Sequence, residues 1–512
     1  MPGNGLWRTK SVEQSIADTD EPGSRLRKNL SAWDLTVFGV AVVIGAGIFT
    51  LTARTAGDLA GPSVSLAFVL AAIACALAAL CYAEFASTVP VAGSAYTFSY
   101  ATFGELLAWV IGWDLVLEFA VGSAAVATGW SEYLRTVLGY LFGDGVTTSF
   151  DVGAVTVNWG ALVLIAALTV LLAVGTKLSS RVSMVITGIK VAIVLFVIFF
   201  GLSFVNASNY SPYIPPGETG SSASSTGVDQ TVFSWLAGGS SSAFGVFGLL
   251  AGASLVFFAF IGFDVVATTA EETRDPKHAV PRGILGSLAI VTVLYVAVSL
   301  VVTGMVEYTD LATGDGEHKT LATAFALNGE DWAANVISIG ALAGLTTVVM
   351  VLMLGQVRVL FAMSRDGLLP RGLSRTGEHG TPVRATILVG GLVAAAATFF
   401  PASKLEEMVN VGTLFAFILV SAGVLVLRRT HPDLPRAFRV PALPVIGVAA
   451  ILACLWLMLN LTILTWLRFF GWMAIGVVVY FAYGRRHSLL GLRGASASPL
   501  PVDGADPEAT PR

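Results

Sequence analysis

The chain has 512 residues, of which 55% are hydrophobic and 12% charged, against about 25% charged in an average soluble domain. A mean hydropathy of +0.79 excludes a water-soluble globular protein, and a formal net charge of -4 with no basic run outside a few loops excludes a nucleic acid partner. An all-α polytopic protein of the lipid bilayer is expected.

Crossing a hydrocarbon core of about 30 Å takes about 20 helical residues. Twelve apolar runs meet that need, at 32–53, 63–88, 103–134, 157–175, 182–205, 246–270, 283–306, 332–360, 382–400, 406–428, 442–466 and 469–484. Residues 1–31 hold no short apolar stretch before a small-residue cleavage site, so the first run is expected to serve as its own insertion signal. Alternate loops place nearly all Lys and Arg on the side of the N-terminal tail and leave Arg54, Arg135, Lys319, Lys404 and Arg468 on the other. Both termini are therefore expected in the cytoplasm of a cell with this protein in its plasma membrane.

The first run carries VVIGAGIFT, Val42 to Thr50, with two glycines about halfway along. Each lowers helix stability by up to about 1 kcal/mol relative to alanine. Unwound backbone in a bilayer survives only where protein or a water-filled cavity satisfies its polar groups. The sixth run, GASLVFFAFIGFDVVATTAEE, has Gly262 at a corresponding depth. Such paired interruptions in two five-helix sets mark the binding site of inverted-repeat transporters. The division expected is a tail at 1–31, a first repeat at 32–205, an outer loop at 206–245 holding the polar stretch 206–230, a second repeat at 246–428, two further helices at 429–485, and a tail at 486–512.

Freed N–H groups over Val43, Ile44, Gly45, Ala46 and Gly47, at the positive end of the following half-helix, suit a carboxylate. Freed carbonyls at Phe258, Ala259 and Ile261 suit an ammonium. A ligand with both groups on one carbon is an α-amino acid.

Lys190 stands alone in VSMVITGIKVAIVLFVIFF, with no acid within a helical turn. An ammonium buried there without a counter-charge is costly and is expected to gain and lose a proton readily, unless it snorkels to the interface. Glu118 lies fifteen residues into the third run, where it could join Lys190 in a proton path, face a cationic substrate, or be structural. Asp34, Glu84, Asp114, Asp264, Glu271 and Glu272 fall nearer run ends and are expected at solvated ends; Arg365 and Asp366 read as a turn.

Cys75, Cys81 and Cys454 lie in apolar runs with no disulfide or metal spacing. The histidines 278, 318, 379, 431 and 487 all fall in loops or tails. No catalytic constellation, metal site or cofactor is expected.

IGAGIF, then CYAEFASTVPVAGSAYTFSYATFGELLAWVIGWDLVLEFAVG (81–122), FFAFIGFDVVATTAEETRDPKHAVPRGI (257–284), GQVRVLFAMSRDGLLP (355–370) and PDLPRAFRVP (432–441) resemble the cationic amino acid transporter family of the amino acid, polyamine and organocation superfamily. The resemblance covers residues 31 to 485. It implies a leucine-transporter-like fold of five plus five inverted-repeat helices with two more. It also implies carboxylate contacts at Val43, Ala46 and Gly47, amine contacts at Phe258, Ala259 and Ile261, and a lid at Phe263. A lysine at position 190 implies proton coupling without sodium. In this fold Met350 and Met353 would face the pocket and favour a small apolar substrate.

The expected activity is proton-coupled uptake of a small neutral α-amino acid. A cationic amino acid facilitator or exchanger is the alternative within transport, and a non-transporting sensor the alternative outside it. A monomer and a complex with a small membrane-protein subunit are both left open.

Overall fold

The computed structural model describes residues 30–45, 47–88, 94–143, 146–152, 155–175, 180–217, 227–238, 243–268, 273–313, 319–375 and 381–489. Ala46, Glu271 and Glu272 lie outside them.

Helix α1, Ala32–Val43, starts in a capping box: the Ser31 hydroxyl accepts from the Asp34 amide, and the Asp34 carboxylate accepts from the Ser31 amide at 2.9 Å. It stops at Ile44, whose backbone is extended. The chain resumes helix at Gly47–Leu51 and again at Ala56–Ala60 in wide π turns, with an α turn, Thr52–Thr55, between them. Such turns are uncommon and cluster at functional positions. Gly61 (φ +59°) ends the run, where a Cβ would strike Pro215.

The remaining long helices are α2 (Val64–Thr88), α3 (Ser94–Thr102), α4 (Glu105–Phe142), α5 (Trp159–Val174), α6 (Ser180–Gly201), α7 (Gly245–Val256), α8 (Pro276–Met305), α9 (Asp331–Arg365), α10 (Val383–Phe399), α11 (Ala402–Thr430), α12 (Leu443–Leu459) and α13 (Ile463–Val479). Every apolar run read in the sequence carries helix. Among the described residues eight helical runs are long and apolar enough to cross a membrane, with three shorter apolar helices at α5, α10 and α12. The chain is thus an all-α polytopic membrane protein apart from a hairpin of β1 (Ser149–Val152) and β2 (Val155–Asn158). Neither α3 nor the hairpin was legible as an apolar run.

Helix α4 forms the spine: it packs along α9 and α11, and its middle is buried residue after residue. The periphery reads the opposite way. Val170 of α5, Leu452 of α12 and Val478 of α13 are all exposed, an apolar surface suited to lipid.

The expectation of solvated acids holds for Asp34 and fails for Glu84, Asp114 and Asp264, which are 1%, 0% and 2% exposed. Position along a helix does not report what packs against it. Glu84 accepts from Arg428 Nε at 3.1 Å and from the Val440 amide at 2.7 Å, with Arg436 Nε at 3.6 Å. The PDLPRAFRVP loop is thereby folded onto α2. Removing one charge from such a group strands the others, at a cost of about 3–5 kcal/mol. Glu84→Gln is therefore expected to lower the thermal unfolding midpoint clearly in detergent, and an unchanged midpoint would count against the clasp.

Of Arg365 and Asp366, read as a turn, Arg365 is still the last residue of α9 and Asp366 begins the turn, which continues through Gly367 at φ +81°, with Tyr96 donating to Asp366 at 2.7 Å. The chain beyond α13 docks there. The Leu489 amide donates to the Asp366 carbonyl at 3.0 Å. Ser488 donates at 2.6 Å to Glu105, a carboxylate that also accepts from Tyr100 and Tyr480.

Candidate functional site

The two interruptions lie against each other. A Cβ placed on Gly47 would sit 2.0 Å from the Ala259 Cα, so the two backbones touch with no side chain between them. The second break is built from a 3-10 turn, Phe257–Phe260, an extended Ile261, and Gly262 at φ +116°, before helix resumes at Val265–Thr268. Gly262 is required twice over, because a Cβ there would also strike Val42.

Tyr295 of α8 joins the breaks. Its hydroxyl donates to the Val43 carbonyl at 2.6 Å and lies 3.0 Å from the Ala259 carbonyl. Nothing in the sequence singled it out beyond a hydroxyl in the middle of an apolar run. Tyr295→Phe leaves both carbonyls short of a donor, worth about 1–3 kcal/mol for buried polar groups. It is expected to weaken substrate uptake roughly tenfold or more, read as kcat/KM in proteoliposomes.

Beside the touching breaks is a small cavity of about 30 Å³. The first segment contributes Val42, Val43, Gly45 and Gly47 to its lining, the sixth Phe258 and Ile261. Helix α4 adds Glu118, Gly122 and Val126, spaced four apart on one face, α9 adds Val348 and Leu352, and α11 adds Val409. Apart from Glu118 its side chains are apolar. One Glu118 oxygen has no hydrogen-bond partner among the described residues.

Several expected contacts are corrected here. The Ile44 amide donates to the Val40 carbonyl at 2.9 Å and is not free, because the chain keeps one more helical bond before it unwinds. Among the described residues no backbone acceptor meets the amides of Gly45 and Gly47. Ala46 lies outside the described residues. Of the three expected carbonyls, that of Phe258 accepts the Ile261 amide, that of Ala259 faces Tyr295, and that of Ile261 has no backbone donor among the described residues.

Met350 and Met353 do not line the cavity. Helical phase is the reason: at 3.6 residues per turn they point about half a turn and a third of a turn away from the Val348–Leu352 face. Phe263 does not line it either. It is fully buried in an aromatic cluster, with Tyr82 at 6.1 Å and Phe417 at 5.0 Å between ring centres. Phe98 of α3 extends that cluster through Tyr82 and Phe85.

Lys190 stands apart from the cavity, behind the first helix. It is 1% exposed, which rules out snorkelling, and Nζ donates to the Ala41 carbonyl at 2.8 Å. Its stem runs over Gly344 of α9, where a Cβ would meet it at 3.1 Å. Among the described residues it has no carboxylate within ion-pair distance. The ammonium therefore ties the end of α1, two residues before the helix ends, to α6 and α9.

At the arginine-poor end, Arg54 Nη1 meets Glu406 of α11 at 2.7 Å, both largely buried. Glu406 is about one helical turn from Val409 of the cavity lining. In the sequence Arg54 reads only as a loop charge, since its partner is distant along the chain.

A polytopic helical bundle with two interrupted segments meeting beside a cavity is the architecture of a membrane transporter rather than an enzyme. The chain belongs to the amino acid permease family, whose model matches residues 30–483, within the superfamily implied by its motifs. It is similar to the branched-chain amino acid permease BcaP of Bacillus subtilis (strain 168), 43% identical over 495 residues that cover 95% of this chain and 99% of the relative. It is 42% identical to the methylthioribose transporter of the same organism, with 95% and 99% covered. The vacuolar cationic amino acid transporter 4 of Arabidopsis thaliana is 38% identical over 436 residues, 84% of this chain and 68% of the relative.

Proposed function

We propose that this chain takes up a small neutral α-amino acid together with a proton, by alternating access. The observation that carries the reading is the pair of breaks lining one cavity: amides at Gly45 and Gly47 that meet no backbone acceptor among the described residues, and an Ile261 carbonyl that meets no backbone donor among them. The substrate carboxylate would bind the amides at the start of the outer half-helix. Its ammonium would bind the carbonyls of Ile261 and Phe258, each of which has two lone pairs. Its side chain would lie against Val126, Val348, Leu352 and Val409, an aliphatic wall that suits an apolar substituent.

In this reading the bundle has twelve spans. Residues 32–205 and 246–428 are five-helix inverted repeats followed by two further helices, and both termini and the arginine-rich loops are cytoplasmic. Lys190 carries the coupling. A charge-assisted hydrogen bond is roughly twice as strong as a neutral one, so proton loss weakens the hold on Ala41 and frees α1 to move beside the occupied cavity.

The names of the relatives span branched-chain amino acids, cationic amino acids and methylthioribose, and so leave the substrate open. Glu118 favours a second reading, because a partnerless carboxylate oxygen on the cavity wall could face the side chain of arginine or lysine.

Binding to the purified protein separates these readings. Alanine is expected to protect against thermal unfolding, while propionate, without the amine, and alaninol, without the carboxylate, do not. Equal protection by alaninol would remove the carboxylate site. Protection by arginine alone would leave the cationic reading.

A further inference from the structure

Among the glycines of α4 and of the first break, Gly122 has a different setting. A Cβ on Gly45 would lie 2.8 Å from Val348, one on Gly47 2.0 Å from Ala259, one on Gly129 2.8 Å from Thr50, and one on Gly112 2.8 Å from Met363. Those glycines are imposed by packing. At Gly122 the nearest atoms are Leu352 Cδ1 at 3.6 Å and the Val409 methyls at 3.7 and 3.8 Å, ordinary contact distances. Its backbone is regular helix in the middle of α4. Neither crowding nor a left-handed conformation calls for glycine there, and glycine weakens a helix interior relative to alanine. The one thing it provides is space, and that space belongs to the cavity, one turn from both Glu118 and Val126.

We infer that Gly122 sets the size of substrate side chain this protein accepts, by opening a hollow between α4, Leu352 and Val409 for a branched aliphatic group such as that of leucine. The inference rests on the amino acid reading above and deepens it. The hollow faces methyl groups from α9 and α11, so it recognises hydrocarbon shape rather than charge. A Cβ at position 122 touches both walls and takes up the room of about one methyl group. Selection by one methyl or methylene in an apolar pocket reaches about 10- to 200-fold. The loss should fall on the largest side chain and spare the smallest.

The test is uptake of labelled leucine and of labelled alanine by the full chain in proteoliposomes, for wild type, Gly122→Ala and Gly122→Val. Gly122→Ala is expected to lower the leucine-to-alanine ratio of kcat/KM about tenfold, and Gly122→Val further, with leucine losing more than alanine in both. Because alanine favours helix, the thermal midpoint of Gly122→Ala should equal or exceed that of wild type, which separates the loss from misfolding. An unchanged ratio, or equal loss of both substrates with the midpoint intact, would overturn the size role. Wild-type protein that takes up neither amino acid would instead sink the neutral amino acid reading itself.

Discussion

Lys190→Ala is expected to abolish uphill uptake driven by a proton gradient while the protein stays folded. The ammonium is enclosed by apolar helix and bonded to one carbonyl, that of Ala41, with no carboxylate nearby among the described residues. Isolated buried charge is costly to keep, and its relief offsets the packing and the Ala41 hydrogen bond lost with the side chain, so the thermal midpoint should change little. What disappears is the group that can take up and release the proton. With one proton per substrate, a gradient of one pH unit supports an accumulation of about tenfold; the variant should equilibrate without accumulating. Gradient-driven accumulation at wild-type level in Lys190→Ala would show that the lysine is structural.

Gly47→Ala is expected to eliminate transport for a purely steric reason. Its new methyl would be placed 2.0 Å from the Cα and 2.2 Å from the Cβ of Ala259, and both are held by backbone. Overpacking of this kind costs about 1–3 kcal/mol and sometimes more. Here the relief is separation of the two breaks, which pulls Val43 and Ala259 away from their common donor Tyr295. Uptake should fall to background and the thermal midpoint should drop. Gly122→Ala adds the same methyl group at ordinary contact distances, so its thermal midpoint, unlike that of Gly47→Ala, should not drop. Wild-type uptake by Gly47→Ala would contradict the contact between the breaks.

Much of the site's backbone was legible in the sequence because it is local. Glycines at 45, 47 and 262 interrupt apolar runs at matching depth, and an isolated lysine in such a run stands out by charge alone. The geometry around them was less legible. Ile44 keeps its helical hydrogen bond, which depends on where along the run the backbone departs from helix. Met350 and Met353 share a helix with Val348 and Leu352, but a segment hydrophobic nearly all round does not declare which face meets the cavity. Phe263 packs with Tyr82 and Phe417, residues far from it in the chain. The same holds for Arg54 with Glu406, Glu84 with the 432–441 loop, and Glu105 with Ser488. Each pair joins segments that only the fold brings together.

The central claim is that two touching helix breaks bind an α-amino acid and that its uptake draws on a proton. It is tested most directly by uptake of labelled alanine and labelled arginine into proteoliposomes of the purified chain, with and without an inward proton gradient and with sodium absent. Alanine that accumulates only with the gradient is the predicted result. Arginine uptake indifferent to the gradient, with no accumulation of alanine, would contradict it.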